Sequence, residues 1–350
     1  MKSWMIYGAY GYTGKLLSQE AKIRGHSPVL AGRSVNKLIP LANELDLDYI
    51  VFDLEDSKTL KNTIRDFDLI FLSAGPFKFT SAPMVKACLK AGTNYLDITG
   101  ELPIFEQNFE FDQQAKDKGI AIISGVGFDV VPTDCLAKYI SEKIPNPTQL
   151  EIGIAGSSSP SAGTLKTIIE YSDLGTLIRK DGILVHPEKI REKKIQFSDK
   201  ERLMRPVVWG DLVTAYRTTG IPNIITYMPS PKKPIGIGKS TGISKDSWAS
   251  NENQKKLIKK WIEKNVHGPD EQTRKEARSY LWAQITNDKG TFVQAWLETI
   301  ESYLFTAVAG IRTVEKLFKL KPKGALTPAL AFGADFVLGI PETKRFDTLN

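Results

Sequence analysis

The chain has 350 residues, 41% of them hydrophobic and 25% charged, which is the balance of a globular protein with material for one large or two ordinary domains. Two cysteines, Cys88 and Cys135, and three scattered histidines, His26, His186 and His267, exclude a disulfide framework and give no ligand spacing, so no metal is expected. The formal charge is +7, but the lysines fall in short groups ("REKK" 191–194, "KKLIKKW" 255–261, "KLKPKG" 319–324) without the aromatic interleaving or motifs of a nucleic-acid binder, and no nucleic-acid partner is expected.

The opening Met1-Lys2-Ser3-Trp4 runs straight into an apolar strand with no secretory leader. The tract "LTPALAFGADFVLGIP" is broken by Asp335 and two glycines, too short for a membrane span. These features predict a reduced, cytoplasmic protein. In chain order, "SWMIYGA" is a strand and "GKLLSQEAKIRG" an amphipathic helix. They are followed by "SPVLAGR" as a strand, "SVNKLIPLANEL" as a helix that Ser34 can cap, "DYIVFDL" as a strand and "SKTLKNTIRDF" as a helix. "DLIFLSAG" (strand), "SAPMVKACLKAG" (helix 81–92), "TNYLDITG" (strand), "IFEQNFEFDQQAKDKG" (helix) and "IAIISGVG" (strand) complete the pattern. Strands alternating with helices of this length predict right-handed βαβ crossovers and a doubly wound parallel sheet, an α/β Rossmann domain over 1–130.

After Pro132 the rhythm changes. "QLEIGIAGSSS" and the whole of "RPVVWGDLVTAYRTTGIPNIITYM" read as strand-like, whereas "SAGTLKTIIEYSDLG" and "NQKKLIKKWIEKNV" read as helices. "ARSYLWAQITNDKGTFVQAWLE" is two strands around "NDKG", and "YLFTAVAGIRTVEKLF" is a strongly periodic helix. The expectation is a second α+β domain of mixed sheet and helices over 131–325, for substrate and dimerisation, with 326–350 folding back.

Function concentrates at the strand ends, where ligands of doubly wound sheets collect. "IYGAYGYTGKLL" places Gly8, Gly11 and Gly14 between strand and helix, the context that turns a weak glycine fingerprint into a dinucleotide cradle. Gly8 and Gly11 admit a pyrophosphate to the backbone, Gly14 allows the helix to pack on the sheet, and the amides of Tyr12, Thr13 and Gly14 face the anion. The second strand ends in "LAGRSVNK", with Arg33 where an NAD site carries an acid, and with Ser34 and Lys37 in the next turn; no carboxylate lies between Gly25 and Leu41. NADP(H) is therefore the expected cofactor. Asp53 is a candidate contact to adenine or a helix N-cap, and Ser73, Ala74, Gly75 and Pro76 in "FLSAGPF" give a bare backbone for the nicotinamide half. "YLDITGE" and "GVGFDVVPTD" bring Tyr95, Asp97, Thr99, Glu101, Asp129 and Asp134 to the same rim. Tyr95, Asp97, Glu101 and Asp129 are the candidate proton donors, with no single catalyst assigned, and His186 in "ILVHPE" reads as a loop residue.

The combination "GAYGYTGKL", "AGR", "SAGPF", "YLDITGE" and "GVGFDVVPTD" resembles the saccharopine dehydrogenase-like oxidoreductases, a group that includes saccharopine reductases and the trans-acting enoyl reductases of mycobacterial lipid synthesis. The resemblance continues through "SAGTLKT", "WGDLVTAYRTTGIPNIITYM", "GPDEQTRKEARSYLW" and "ALTPALAFGADFVL". Where relatives tend to read Glu-Thr-Pro-Glu-Gly-Tyr, this chain reads "ETIESY" (298–303), so substrate class does not transfer. No arginine cluster suits the carboxylates of saccharopine, with Arg217 and Arg312 as the available anchors. The resemblance implies NADP(H)-dependent hydride transfer to or from a C=O, C=N or C=C group of a small or acyl-type substrate. Two alternatives stand beside it, an inactive NADP-binding scaffold or sensor and a lipid-handling protein at a membrane surface. A homodimer is expected.

Overall fold

The computed structural model describes residues 3–156, 158–189, 191–230 and 251–349. The first layer is built from β1 (Trp4–Tyr7), α1 (Tyr12–Ile23), β2 (Val29–Gly32), α2 (Val35–Leu45), β3 (Tyr49–Val51), α3 (Ser57–Ile64), β4 (Leu69–Leu72), α4 (Phe77–Ala91), β5 (Asn94–Asp97), α5 (Leu102–Phe109), α6 (Asp112–Lys118) and β6 (Ala121–Ile123). The strands pair in parallel in the order β6-β5-β4-β1-β2-β3, the doubly wound Rossmann arrangement. β1 and β4 are buried at every position, as central strands covered by helices on both faces must be.

The second layer follows as α7 (Val131–Ser141), β7 (Pro147–Gly156), α8 (Ala162–Glu170), β8 (Ile178–Lys180), β9 (Ile183–Val185), β10 (Lys193–Gln196), β11 (Glu201–Pro206), α9 (Asp211–Thr219), β12 (Asn223–Pro229), α10 (Glu252–Asn265), α11 (Glu271–Glu276), β13 (Arg278–Asn287) and β14 (Phe292–Ile300). Its mixed sheet joins β12 and β7 in parallel and its other neighbours antiparallel. α7 and α9 pack on one face of it around Leu136, Ile140, Leu212 and Ala215.

The chain then recrosses to the first layer. α12 (Ser302–Leu320) lies on the face that α1 covers, where Gly310 fits so closely that a Cβ would stand 2.7 Å from Leu17 and 3.0 Å from Phe71. Glu315 of α12 also pairs with Arg24 at 2.7 Å. β15 (Gly324–Leu326) adds to β6 in parallel as the seventh strand of the first sheet. α13 (Pro328–Phe332) packs on α7, and β16 (Lys344–Phe346) pairs with β14 at the edge of the second sheet. Residues 302–326 thus belong to the first layer, not to a self-contained unit over 131–325, because the apolar stripe of α12 finds its partner surface there.

Three local expectations are corrected. Asp211–Thr219 is a helix, not a strand: Leu212, Val213 and Ala215 bury against α7, and Gly220 ends the turn at φ 70°. "IFEQNFEFDQQAKDKG" is two helices, α5 and α6, broken at Glu110–Phe111. α4 starts at Phe77, four residues before Ser81, because Glu101 accepts hydrogen bonds from the amides of Phe77 and Lys78 at 2.6 and 2.8 Å.

Candidate functional site

The glycine turn has the geometry its spacing predicts. Gly8 stands at φ +91°, and a Cβ there would lie 2.7 Å from the Ala74 nitrogen, so Ala74 of the β4 loop seats directly on it. A Cβ on Gly14 would stand 2.2 Å from the Gly8 carbonyl oxygen, which is the close helix-to-strand approach that only glycine permits. Gly11 is the N-cap of α1 and brings no side chain to cap it, so the amides of Tyr12, Thr13 and Gly14 open the helix toward the rim. The Tyr12 side chain turns the other way. Its hydroxyl donates to the Pro269 carbonyl at 2.6 Å and accepts from Arg274 at 2.9 Å, and its ring meets Tyr303 edge-on at 4.9 Å.

At the end of β2, Arg33 and Lys37 are exposed. Lys37 lies 5.7 Å over the Tyr10 ring, and that ring covers Gly32, where a Cβ would stand 2.5 Å from it. Ser34 is the N-cap of α2, but its hydroxyl makes no capping bond. Asp53 is exposed and accepts from the Glu55 amide at 3.1 Å; the cap of α3 is Asp56, which accepts from Lys58 and Thr59. On β4, the Ser73 hydroxyl donates to the Tyr7 carbonyl at 3.1 Å, and the Gly75-Pro76 bond is cis.

The four candidate proton donors separate sharply. Tyr95 is fully buried, with its hydroxyl between Asp97 (2.8 Å) and Ser81 (3.2 Å), in the core and not on a cavity wall. Asp97 is also fully buried and accepts four hydrogen bonds, from the Thr99 and Gly125 amides, the Tyr95 hydroxyl and Ser124. Burial raises its pKa to about 6 against those four donors, and its lone pairs are spent on joining β5 to β6. Both drop out as proton donors because they face inward from the strand. Glu101 borders the cavity, but its carboxylate is committed to the start of α4 and to Thr167 (3.5 Å) and Tyr171 (2.9 Å) of the second layer. Burial raises its pKa while those donors oppose the rise. Asp134 leaves the rim altogether: it accepts from Thr218 and from the Ala329 amide, pinning α13 to α7.

Asp129 is the exception. It borders the cavity, its carboxyl lies against Gly100, where a Cβ would stand 2.0 Å from Oδ2, and its Oδ1 is buried with no hydrogen-bond partner. Burial alone pushes its pKa up to about 8, so the carboxyl is neutral at pH 7 and able to donate.

The cavity measures about 490 Å³ and joins the two layers. The first layer gives it Thr13, Ser73, Gly75, Ile98 and Asp129. The second gives it the start of α8 and the loop beyond, Val208 and Trp209, and the first turn of α12, where the chain recrosses, adds Tyr303 from the divergent "ETIESY". Among the described residues, no Lys, Arg or His lines it. Arg217 pairs instead with Asp112 at 3.1 Å, and Arg312 packs on Gly339. His186 is exposed and bonded to the Thr176 carbonyl at 3.0 Å. Cys88 and Cys135 are buried free thiols. The contribution of Val208 and Trp209 was not assigned from the sequence, where "WGDLVTAYRTTGIPNIITYM" entered only as strand-like and as part of the family resemblance.

A Rossmann sheet with an open helix N-terminus at its first turn and a second layer closing a cavity over the strand ends defines a two-layer dinucleotide-binding protein. Residues 4–123 match the family model of the saccharopine dehydrogenase NADP binding domain, and the cofactor is NADP(H). It is 36% identical over 140 residues to a trans-acting enoyl reductase of Mycobacterium ulcerans, covering 37% of this chain and 33% of the relative. It is 24% identical over 221 residues to a saccharopine dehydrogenase-like oxidoreductase of Bos taurus, covering 57% and 47% respectively. The chain therefore spans a third to a half of the length of these relatives. Its fold is that of apo saccharopine dehydrogenase (L-Glu forming) from Saccharomyces cerevisiae, with a TM-score of 0.64 at 14% identity over 99% of this chain and 100% of that one.

Proposed function

We propose that the chain is an NADPH-dependent oxidoreductase that reduces a polarised C=O, C=N or C=C bond in an uncharged, small or acyl-type substrate, with Asp129 as the proton donor. The observation that carries this reading is the unpartnered, neutral carboxyl of Asp129 on the wall of a cavity that begins at the glycine turn. When bound, the nicotinamide supplies a hydride to the electrophilic carbon. The amides of Tyr12, Thr13 and Gly14 would hold the pyrophosphate, Arg33, Ser34 and Lys37 the 2′-phosphate beside the Tyr10 ring, and Ser73, Ala74, Gly75 and Pro76 the nicotinamide half. Asp129 gives its proton to the substrate atom that gains charge, and is left as a carboxylate. Phe128, Trp209 and Tyr303 exclude water from that point. A substrate carboxylate would be desolvated here with no described cation to meet it, which disfavours saccharopine.

The test is fluorescence titration with NADPH and NADH, followed by a screen of ketones, imines, 2-oxo acids and enoyl thioesters for NADPH oxidation. Arg33→Asp weakens NADPH binding about tenfold or more and leaves NADH binding unchanged; equal effects on both remove the 2′-phosphate assignment. Asp129→Asn lowers kcat about 100-fold with NADPH affinity kept. The homodimer belongs to the same reading, and a solution mass of one chain from sedimentation removes it.

One observation favours a second reading, in which the acyl substrate is taken from a lipid surface. Ile168 on the cavity wall is 47% exposed, and Phe79 and Leu257 are 59% and 60% exposed, on helices that also carry Lys78, Lys166 and Lys259, which pair with Glu170 and Glu263. No helix among the described residues is long and apolar enough to cross a membrane. Flotation with anionic vesicles at physiological salt tests this, and an absence of protein in the floated vesicle fraction sinks it.

A further inference from the structure

Native interiors leave few buried polar atoms without a partner, and a group of them in one place calls for an explanation. Among the described residues five buried side-chain polar atoms have none, and four of the five belong to three residues gathered at one point: Asp129 Oδ1, Trp209 Nε1, and both carboxyl oxygens of Asp211. The remaining atom, Arg312 Nε, lies elsewhere, against Gly339. The gathering is a product of packing. Trp209, Gly210 and Asp211 are consecutive at the start of α9, and Gly210 is pressed onto the residue after Asp129, where a Cβ would stand 3.0 Å from Val130 Cγ1. Asp211 is fully buried. The Thr133 hydroxyl lies beside it but donates to the Val130 carbonyl at 3.0 Å. The ionisable groups that neighbour Asp211 are Asp129, from the turn before α7, and Asp134, from α7 itself. Asp134 is already occupied by Thr218 and the Ala329 amide, so Asp129 is the carboxyl left for Asp211 to serve.

Resting on the oxidoreductase reading above, we propose that Asp211 is the positioning residue of Asp129: a second neutral carboxylic acid behind it, joined to it through one internal water that the Trp209 indole N–H also holds. A water with three polar partners meets Asp129 Oδ1, Trp209 Nε1 and one of the two Asp211 oxygens. When Asp129 releases its proton to the substrate, one O–H bond breaks and one forms, and the pair passes from neutral to a single negative charge. Asp211 keeps its proton and, through the water, donates toward the new Asp129 carboxylate. Burial and the neighbouring carboxyls raise the Asp211 pKa well above the ordinary range, which keeps that proton in place.

The experiment pairs two variants. Asp211→Asn keeps shape and a donor; Asp211→Leu keeps bulk and loses the donor. With NADPH affinity unchanged, Asp211→Leu lowers kcat about tenfold and moves the basic limb of kcat/KM about one pH unit upward, because the Asp129 carboxylate has lost its support. Asp211→Asn restores both toward wild type. A basic limb that stays in place in Asp211→Leu overturns the proposal, since a merely structural role moves stability and not that limb. The infrared bands of protonated carboxyls in the unliganded protein give a readout that needs no substrate and no leucine variant. One band disappears in Asp129→Asn and another in Asp211→Asn at pH 7. Absence of the Asp211 band overturns the pair even where no substrate has been found, and its presence in a protein that oxidises no NADPH places the failure in the oxidoreductase reading alone.

Discussion

Asp129 carries opposite consequences for chemistry and stability. Its folded pKa of about 8 stands above the ordinary Asp value of about 3.9, so the folded state binds the extra proton and is favoured at low pH. That favour is complete below about pH 4 and is lost as the pH rises toward 8. Asp129→Asn removes the titration. Its melting temperature should match wild type at pH 4 and exceed it by several degrees at pH 8, as scanning calorimetry reads, while activity falls. A gain that shrinks with rising pH contradicts the assignment. At the glycine turn, Gly14→Ala sets a methyl 2.2 Å from the Gly8 carbonyl, which is backbone and cannot swing aside. A destabilisation of about 2 kcal/mol or more is expected from chemical denaturation, with NADPH binding weakened because the first turn of α1 shifts.

At the scale of elements, Glu101 decides how the layers meet. It caps α4 and reaches Thr167 and Tyr171 by the same carboxylate, and Lys78 beside it pairs with Glu170 of α8 at 2.9 Å. Glu101→Ala orphans two helix amides and the Tyr171 hydroxyl together. It should destabilise the protein by about 2 kcal/mol or more in urea titration, and Glu101→Gln by less. The doubly wound sheet was legible because every strand of the first third is an apolar run set between helical periods, even though the α5–α6 break and the start of α4 were not marked. So was the glycine turn, whose meaning follows from its place between β1 and α1. α9 was not legible: Val213, Thr214, Thr218 and Thr219 favour strands locally, and the packing of its buried side on α7 overrides them. The separation of Asp129 from Tyr95, Asp97 and Glu101 was hidden for a related reason. Spacing puts all four at strand ends, but only the three-dimensional partners show that three carboxyl or hydroxyl groups are already occupied and one is not.

The whole molecule is tied by its crossing segments. α12 and β15 bring residues 302–326 back to the first layer, and Tyr12 with Arg274 fastens the glycine turn to the second. A chain cut after residue 300 should therefore fail to yield a folded nucleotide-binding half. It should bind ANS and show no NADPH fluorescence enhancement, because Leu17 and Phe71 lose the helix that covers them; a soluble, NADPH-binding fragment would contradict this dependence.

The position of β15 has a consequence in time. The glycine turn leaves the ribosome some three hundred residues ahead of the seventh strand of its sheet. Loop closure over that span is slow and non-local. Synthesis therefore runs past β15 before the cofactor has a finished host, and NADP(H) affinity in a nascent chain reports the arrival of that strand rather than of the first six.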